Sequence, residues 1–429
     1  MHSLMLSWEF PPKIVGGIAR HVYDLSLALL KQGVDVTVIT CDMQGAAKYE
    51  EIHGIKVHRV PMSNPSPPDF LTWVLQLNLN MIEQANRLAF AGTTFDVIHA
   101  HDWLAGFAGK NLKHTWKNPL VATIHATEFG RNNGLYNELQ RYISNVEWWL
   151  GYESWRVICC SLFMRDELQR VFQMPDDKIR VIPNGVYPEE FAKTDLDPAK
   201  IRNQYCAPDE KIIFYVGRIV REKGLGVLLD AFSRVLVVES KAKLVIAGTG
   251  PYMDELKHRA YCLGIFNRIY FTGYIDDNTR NALYKSAAVA VFPSLYEPFG
   301  IVALEGMAAG TPVVVSDAGG MSEIIEHGVN GLKAYCNNAS SLADNIIWVL
   351  QHPDHAGKIR ERALNDIQKI YNWDRIAAQT IDVYREILDE YHESNWRAVM
   401  HEEAARDMFM SRMVQSIGAE EMSRYRDVH

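Results

Sequence analysis

The chain has 429 residues, of which 48% are hydrophobic and 22% charged, with a formal net charge of −8. That length points to two or three domains, and the composition is that of a globular protein with sizeable cores. The negative balance excludes a general nucleic-acid binder, which would carry a basic face, although it leaves room for a local cationic pocket.

The six cysteines, Cys41, Cys159, Cys160, Cys206, Cys262 and Cys336, show no CxxC spacing and are expected as reduced thiols. The N-terminus lacks a basic and then apolar leader, and no run reaches the roughly 18 apolar residues of a membrane span. A cytoplasmic protein without integral membrane association is the expectation.

Taken in chain order, LMLSW (4–8) predicts a strand, 18–33 an amphipathic helix and DVTVITC (35–41) a second strand. The rhythm continues with strands at 96–101 and 120–126. It restarts after a Pro-Asn-Gly turn in 176–193, with strands at 211–217, 243–248, 268–273, 288–294 and 311–317. These apolar runs suit strands buried on both faces. Strands alternating with helices define an α/β protein with two doubly wound, Rossmann-like domains, the boundary falling near 187–210. We assign 1–190 to the first domain, 191–374 to the second, and 375–398 to a helix packing back on the first. Residues 399–429 form either a packed helix or a frayed end. Sheets of this kind bind ligands beyond the carboxyl ends of their strands, so two facing each other would make a deep cleft.

Four segments carry chemistry. Gly16-Gly17 stands between the first strand and first helix, where backbone can approach an anion at a helix N-terminus; a plain strand–helix turn is the competing reading. The spacing is neither GxGxxG nor a P-loop. Arg218 and Lys223 fall in the loop after the 211–217 strand, suited to a diphosphate or else simply solvated. In 294–325, Glu297 precedes a Pro-Phe-Gly turn, and Glu305 follows inside a short helix starting near Gly300 or Ile301. Glu297 can reach a reacting sugar, Glu305 a ribose diol, and the helix start between them offers N–H groups to phosphate. Asp102 and His125 follow strands of the first domain and face the cleft. His99, His101, His125, Asp102 and Glu128 lack metal-ligand spacing, so no metal is expected.

These motifs, in this order, resemble the retaining GT-B glycosyltransferases that include sucrose-phosphate synthases and short glycogen- and starch-synthase-like enzymes. The likeness covers roughly residues 1–390 and rests on Gly16-Gly17, HAHDW (99–103), His125, GR-x4-KG (217–224) and E-x7-E (297–305). It implies that Arg218 and Lys223 hold the donor diphosphate, Glu297 contacts the donor sugar and Glu305 binds the ribose. It further implies that Gly17 brings backbone N–H groups to the phosphates, His125 helps stabilise charge on the sugar and Asp102 lines the acceptor side. Asn184, in PNGV, matches a family Asn-Gly near the cleft. Ile14 stands where bacterial glycogen synthases often carry Lys, and HATEFGR differs from the HSLG-like stretch of sucrose-phosphate synthases.

The resemblance implies transfer of glucose from ADP- or UDP-glucose to an α-1,4-glucan, with no metal or other cofactor. The alternatives are a small sugar or sugar-phosphate acceptor, and a nucleotide-sugar epimerase of the same fold. Neither donor base, linkage nor oligomeric state is readable.

Overall fold

The computed structural model describes residues 1–62, 66–192 and 196–396, so the 399–429 tail lies outside the described residues. Two sheets organise it. The first runs β3-β4-β2-β1-β5-β6-β7-β8. Its strands are β1 (His2–Ser7), β2 (Asp35–Cys41), β3 (Tyr49–Ile52), β4 (Ile55–Val60), β5 (Val97–His101), β6 (Leu120–Ile124), β7 (Arg156–Cys159) and β8 (Ile179–Val181). The second runs β11-β10-β9-β12-β13-β14. It comprises β9 (Lys211–Val216), β10 (Ala242–Ala247), β11 (Ile269–Gly273), β12 (Val289–Phe292), β13 (Val313–Ser316) and β14 (Leu332–Ala334).

All the named pairings are parallel except β3 with β4. The central strands are buried along almost their whole length, as apolar runs sandwiched between helices must be. The first expected strand, 4–8, is found two residues earlier at its start and ends before Trp8, because the chain turns off there into the loop that carries Glu9. The edge hairpin β3–β4 was not anticipated. Its two turn residues, His53 and Gly54, take φ of 50° and 92°, the positive values that a two-residue antiparallel turn requires.

The chain crosses between the sheets twice. It leaves the first after β8 and returns in the helix Trp373–Glu393, which packs on the helix Gly17–Lys31. Trp373, Ile376, Tyr384 and Ile387 share a core with Val22, Leu25 and Leu29. The crossings run side by side: the Val186 N–H donates to the Tyr371 carbonyl at 3.0 Å. A Cβ on Gly185 would lie 2.9 Å from that same carbonyl oxygen, which explains the glycine of PNGV.

Candidate active site

Both sheets reverse their strand order at one point, and a doubly wound sheet opens its ligand crevice there. In the first sheet the reversal lies between β1 and β5, in the second between β9 and β12. The segment bearing Gly16-Gly17 follows β1, and Asp102 follows β5. Arg218 and Lys223 follow β9, and Glu297 follows β12.

In the second half, Gly224 has φ 66°, and a Cβ there would sit 1.9 Å from the Pro293 carbonyl oxygen. Only glycine lets the β9 loop press against the end of β12. That packing brings Lys223 Nζ to 2.6 Å from Glu297 Oε2, which also accepts from Ser294 Oγ at 3.1 Å. Glu297 is buried, and its backbone is wedged by Gly319, whose Cβ would meet the Glu297 carbonyl oxygen at 2.1 Å. Arg218 is about half exposed and 3.7 Å from Glu222, so it stands free to turn toward an anion. Gly300, at φ 107°, leads into the helix Ile301–Ala308. Glu305 is buried on this helix and keeps different company from Glu297. Arg280 Nη1 lies 3.3 Å from its Oε1, and the Tyr284 hydroxyl donates to Oε2 at 3.2 Å.

In the first half, the buried Glu9 carboxylate accepts the N–H groups of Val15 at 2.6 Å and Gly16 at 3.0 Å, and so shapes the glycine loop. A Cβ on Gly17 would sit 3.2 Å from Ile301 Cδ1, which places this loop directly against the start of the opposed helix. Asp102 Oδ1 accepts the His125 N–H at 2.7 Å, and Arg131 lies 4.0 Å from its other oxygen. Burial raises the Asp102 carboxyl to about 6, with Arg131 working against it. Burial, assisted by the Arg131 charge, lowers His125 to about 3, so its imidazole is neutral near pH 7. Asn184 Oδ1 is 2.7 Å from His21 Nδ1, and the His21 ring lies edge-on to His125 at 4.7 Å between centroids.

The halves are latched beside this site. The Tyr296 hydroxyl donates to Glu167 Oε1 at 3.0 Å, and Ser161 Oγ donates to the Pro298 carbonyl at 2.7 Å. The Glu323 carboxylate accepts the N–H groups of Leu162 and Phe163, at 2.9 and 2.7 Å. Sequence reading missed Glu9, His21, Ser161, Glu167, Tyr296 and Glu323. WEFPP just after β1 was a usable signal for Glu9. The others become visible only when the two halves are set face to face.

A cleft between two such sheets, with cations on one wall and a neutral histidine on the other, has the layout of a sugar-transferring enzyme. Residues 15–190 match the family described as Glycosyltransferase Family 4, and residues 198–366 match glycosyl transferases group 1. The chain belongs to this family of GT-B glycosyltransferases and is a transferase enzyme. It is 43% identical to an uncharacterized glycosyltransferase of Methanocaldococcus jannaschii, over 90% of this chain and 98% of that one. It is 35% identical to a glycogen synthase of Mycobacterium tuberculosis, over 90% of this chain and 94% of that one. Among solved structures it is similar to a sucrose-phosphate synthase from Thermosynechococcus elongatus, with a TM-score of 0.78 and 25% identity, covering 91% of this chain and 99% of the other. The catalytic domain of starch synthase IV from Arabidopsis thaliana shares the fold, with a TM-score of 0.75 at 15% identity, over 90% of this chain and 99% of that one. No described helix is long and apolar enough to cross a membrane.

Proposed function

We propose that the protein is a retaining glucosyltransferase that extends an α-1,4-glucan from ADP- or UDP-glucose in the cytoplasm, without a metal. Arg218 and Lys223 hold the diphosphate, and Glu305, held in place by Arg280 and Tyr284, takes the ribose diol. Gly16, Gly17, Gly300 and Ile301 let backbone approach the phosphates, and Asn184 orients the neighbouring imidazole of His21. The acceptor hydroxyl attacks the sugar's anomeric carbon from the face that the diphosphate leaves. The new C–O bond forms as the old one breaks, and the hydroxyl proton passes to the departing phosphate oxygen. Lys223 and Arg218 stabilise the charge growing on that oxygen. Glu297 and the neutral His125 position the donor sugar while its ring becomes oxocarbenium-like, and Asp102 lines the acceptor side. Closure of the two halves excludes water from the donor.

The observation that carries the acceptor class is the wall beside the glycine loop. Phe70 and Trp73 stack at 5.9 Å, and Trp8 and Trp103 meet them edge-on. The half-exposed Phe70 suits the apolar face of a glucose ring, and although the Lys13 ammonium lies 5.7 and 5.2 Å from the Trp8 and Trp73 rings, a phosphorylated acceptor calls for a cluster of cations. The 35% identity to a glycogen synthase supports the same reading.

The test is nucleoside diphosphate release from ADP-glucose and UDP-glucose, each with and without glycogen. Release that depends on glycogen, with growth of the polymer, supports the proposal and names the donor. Release with fructose 6-phosphate but not glycogen moves the function to a small acceptor. Conversion of the donor with no acceptor present moves it to epimerase chemistry.

A further inference from the structure

Three histidines from different elements meet behind the catalytic wall. His21 comes from the first helix, His101 from the end of β5 and His125 from just past β6. One ring nitrogen from each lies within 4.8 Å of the other two. His101 Nδ1 and His125 Nε2 are 3.3 Å apart. Two ligands of a tetrahedral zinc ion, at 2.0–2.1 Å from the metal, stand about 3.4 Å apart. One edge of the tetrahedron is therefore already formed, and the widest separation exceeds it by about 1.4 Å, a gap that rotation of a side chain covers.

The hydrogen bonding also favours a cation. His21 and His101 are buried, yet Nε2 of each has no partner. Buried polar atoms are nearly always satisfied, so each orphan nitrogen calls for a water or an ion. With Asn184 Oδ1 accepting from His21 Nδ1–H, the His21 proton is fixed on Nδ1 and Nε2 is left as a lone pair. Histidine ligands are oriented by such a carbonyl on the second nitrogen. Burial keeps all three imidazoles neutral, the form that binds metal. Asp102 accepts from the His125 backbone N–H and so fixes where that ring stands, while the Arg131 charge works against a dication.

We propose that His21, His101 and His125 form a binding site for a borderline divalent cation of the zinc type, and that the bound ion shuts the enzyme by taking His125 out of the sugar site. The cation is an inhibitor in this scheme, consistent with chemistry that needs no metal. Cys262 Sγ, exposed and 3.5 Å from His258 Nε2, is the competing site elsewhere on the surface.

The full chain, stripped by a chelator, is titrated with Zn²⁺ alone and with Co²⁺ alone. One tight site is expected, with tetrahedral visible bands for cobalt and no near-ultraviolet thiolate band. His21→Gln and His101→Gln each weaken binding at least ~10-fold, and Cys262→Ser leaves it intact. Absence of binding, a thiolate band, or unchanged affinity in both histidine variants overturns the proposal. The cobalt spectrum is read on the unaltered protein, so the answer does not depend on the variants folding. The inhibitory half rests on the function proposed above: equimolar Zn²⁺ should abolish transfer, and His21→Gln should need at least ~10-fold more, each compared with its own zinc-free rate. Full activity with the site loaded overturns that half. If no acceptor supports transfer at all, the functional reading fails while the binding result still decides the site.

Discussion

Lys223 and Glu297 neutralise each other across 2.6 Å in a largely buried setting, so neither can be removed without stranding the other. Lys223→Ala is expected to lower transfer by roughly 10²–10³-fold, the effect of losing one oriented stabiliser of a developing anion. Glu297→Ala should do the same. Both variants should remain folded by circular dichroism, with stability reduced by about 1–3 kcal/mol in urea. Near-normal turnover in either would remove these residues from the site. Glu9 acts one step back from the chemistry. Glu9→Ala frees two loop N–H groups, so we expect the donor KM to rise about 10-fold with a smaller change in kcat, since each such charge-assisted bond contributes about 1.5–3 kcal/mol. Equal loss in kcat and kcat/KM would instead mean that Glu9 acts only in the transition state.

At the scale of elements, the loop after β12 serves both halves. It carries Glu297, and it also presents Tyr296 and the Pro298 carbonyl to the helix Leu162–Phe172 and the residue before it. Glu323 closes the same contact by capping that helix, whose own Ser161 cap already serves Met164. Glu323→Ala should cost about 1 kcal/mol, the usual value of a lost cap, and should widen the cleft. Small-angle scattering with and without nucleoside diphosphate would detect the opening, and an unchanged profile would make the contact merely structural. The strands and the Glu297 loop were legible in the sequence because buried parallel strands are continuous apolar runs, and the Pro-Phe-Gly turn after Glu297 marks where one ends. Burial of Glu305 against Arg280 and Tyr284 was not, because those partners lie on a neighbouring helix at no readable spacing. His21 was missed for the same reason. On its helix it is one polar residue among Ala19, Val22 and Leu25, and only packing against β5 and β6 gives it company.

For the whole molecule, the return of the last helix to the first sheet joins the halves as firmly as the cleft separates them. Trp373 is fully buried there, and Trp373→Ala should destabilise by about 3–5 kcal/mol. Chemical unfolding followed by tryptophan-independent circular dichroism would measure it; a loss under 1 kcal/mol would mean that the helix is dispensable. The same double crossing has a consequence for synthesis. At about 5–20 residues per second, roughly 10–40 s separate the emergence of Val186 from that of Trp373. Through that interval the nascent first half carries Val22, Leu25 and Leu29 without the helix that covers them, and the His99 ring without the Tyr384 hydroxyl that stands 2.7 Å away once the chain is finished. A ribosome-bound fragment ending before Trp373 should therefore hold a sticky seam that a holdase chaperone can grip, and release should coincide with the last helix leaving the exit tunnel.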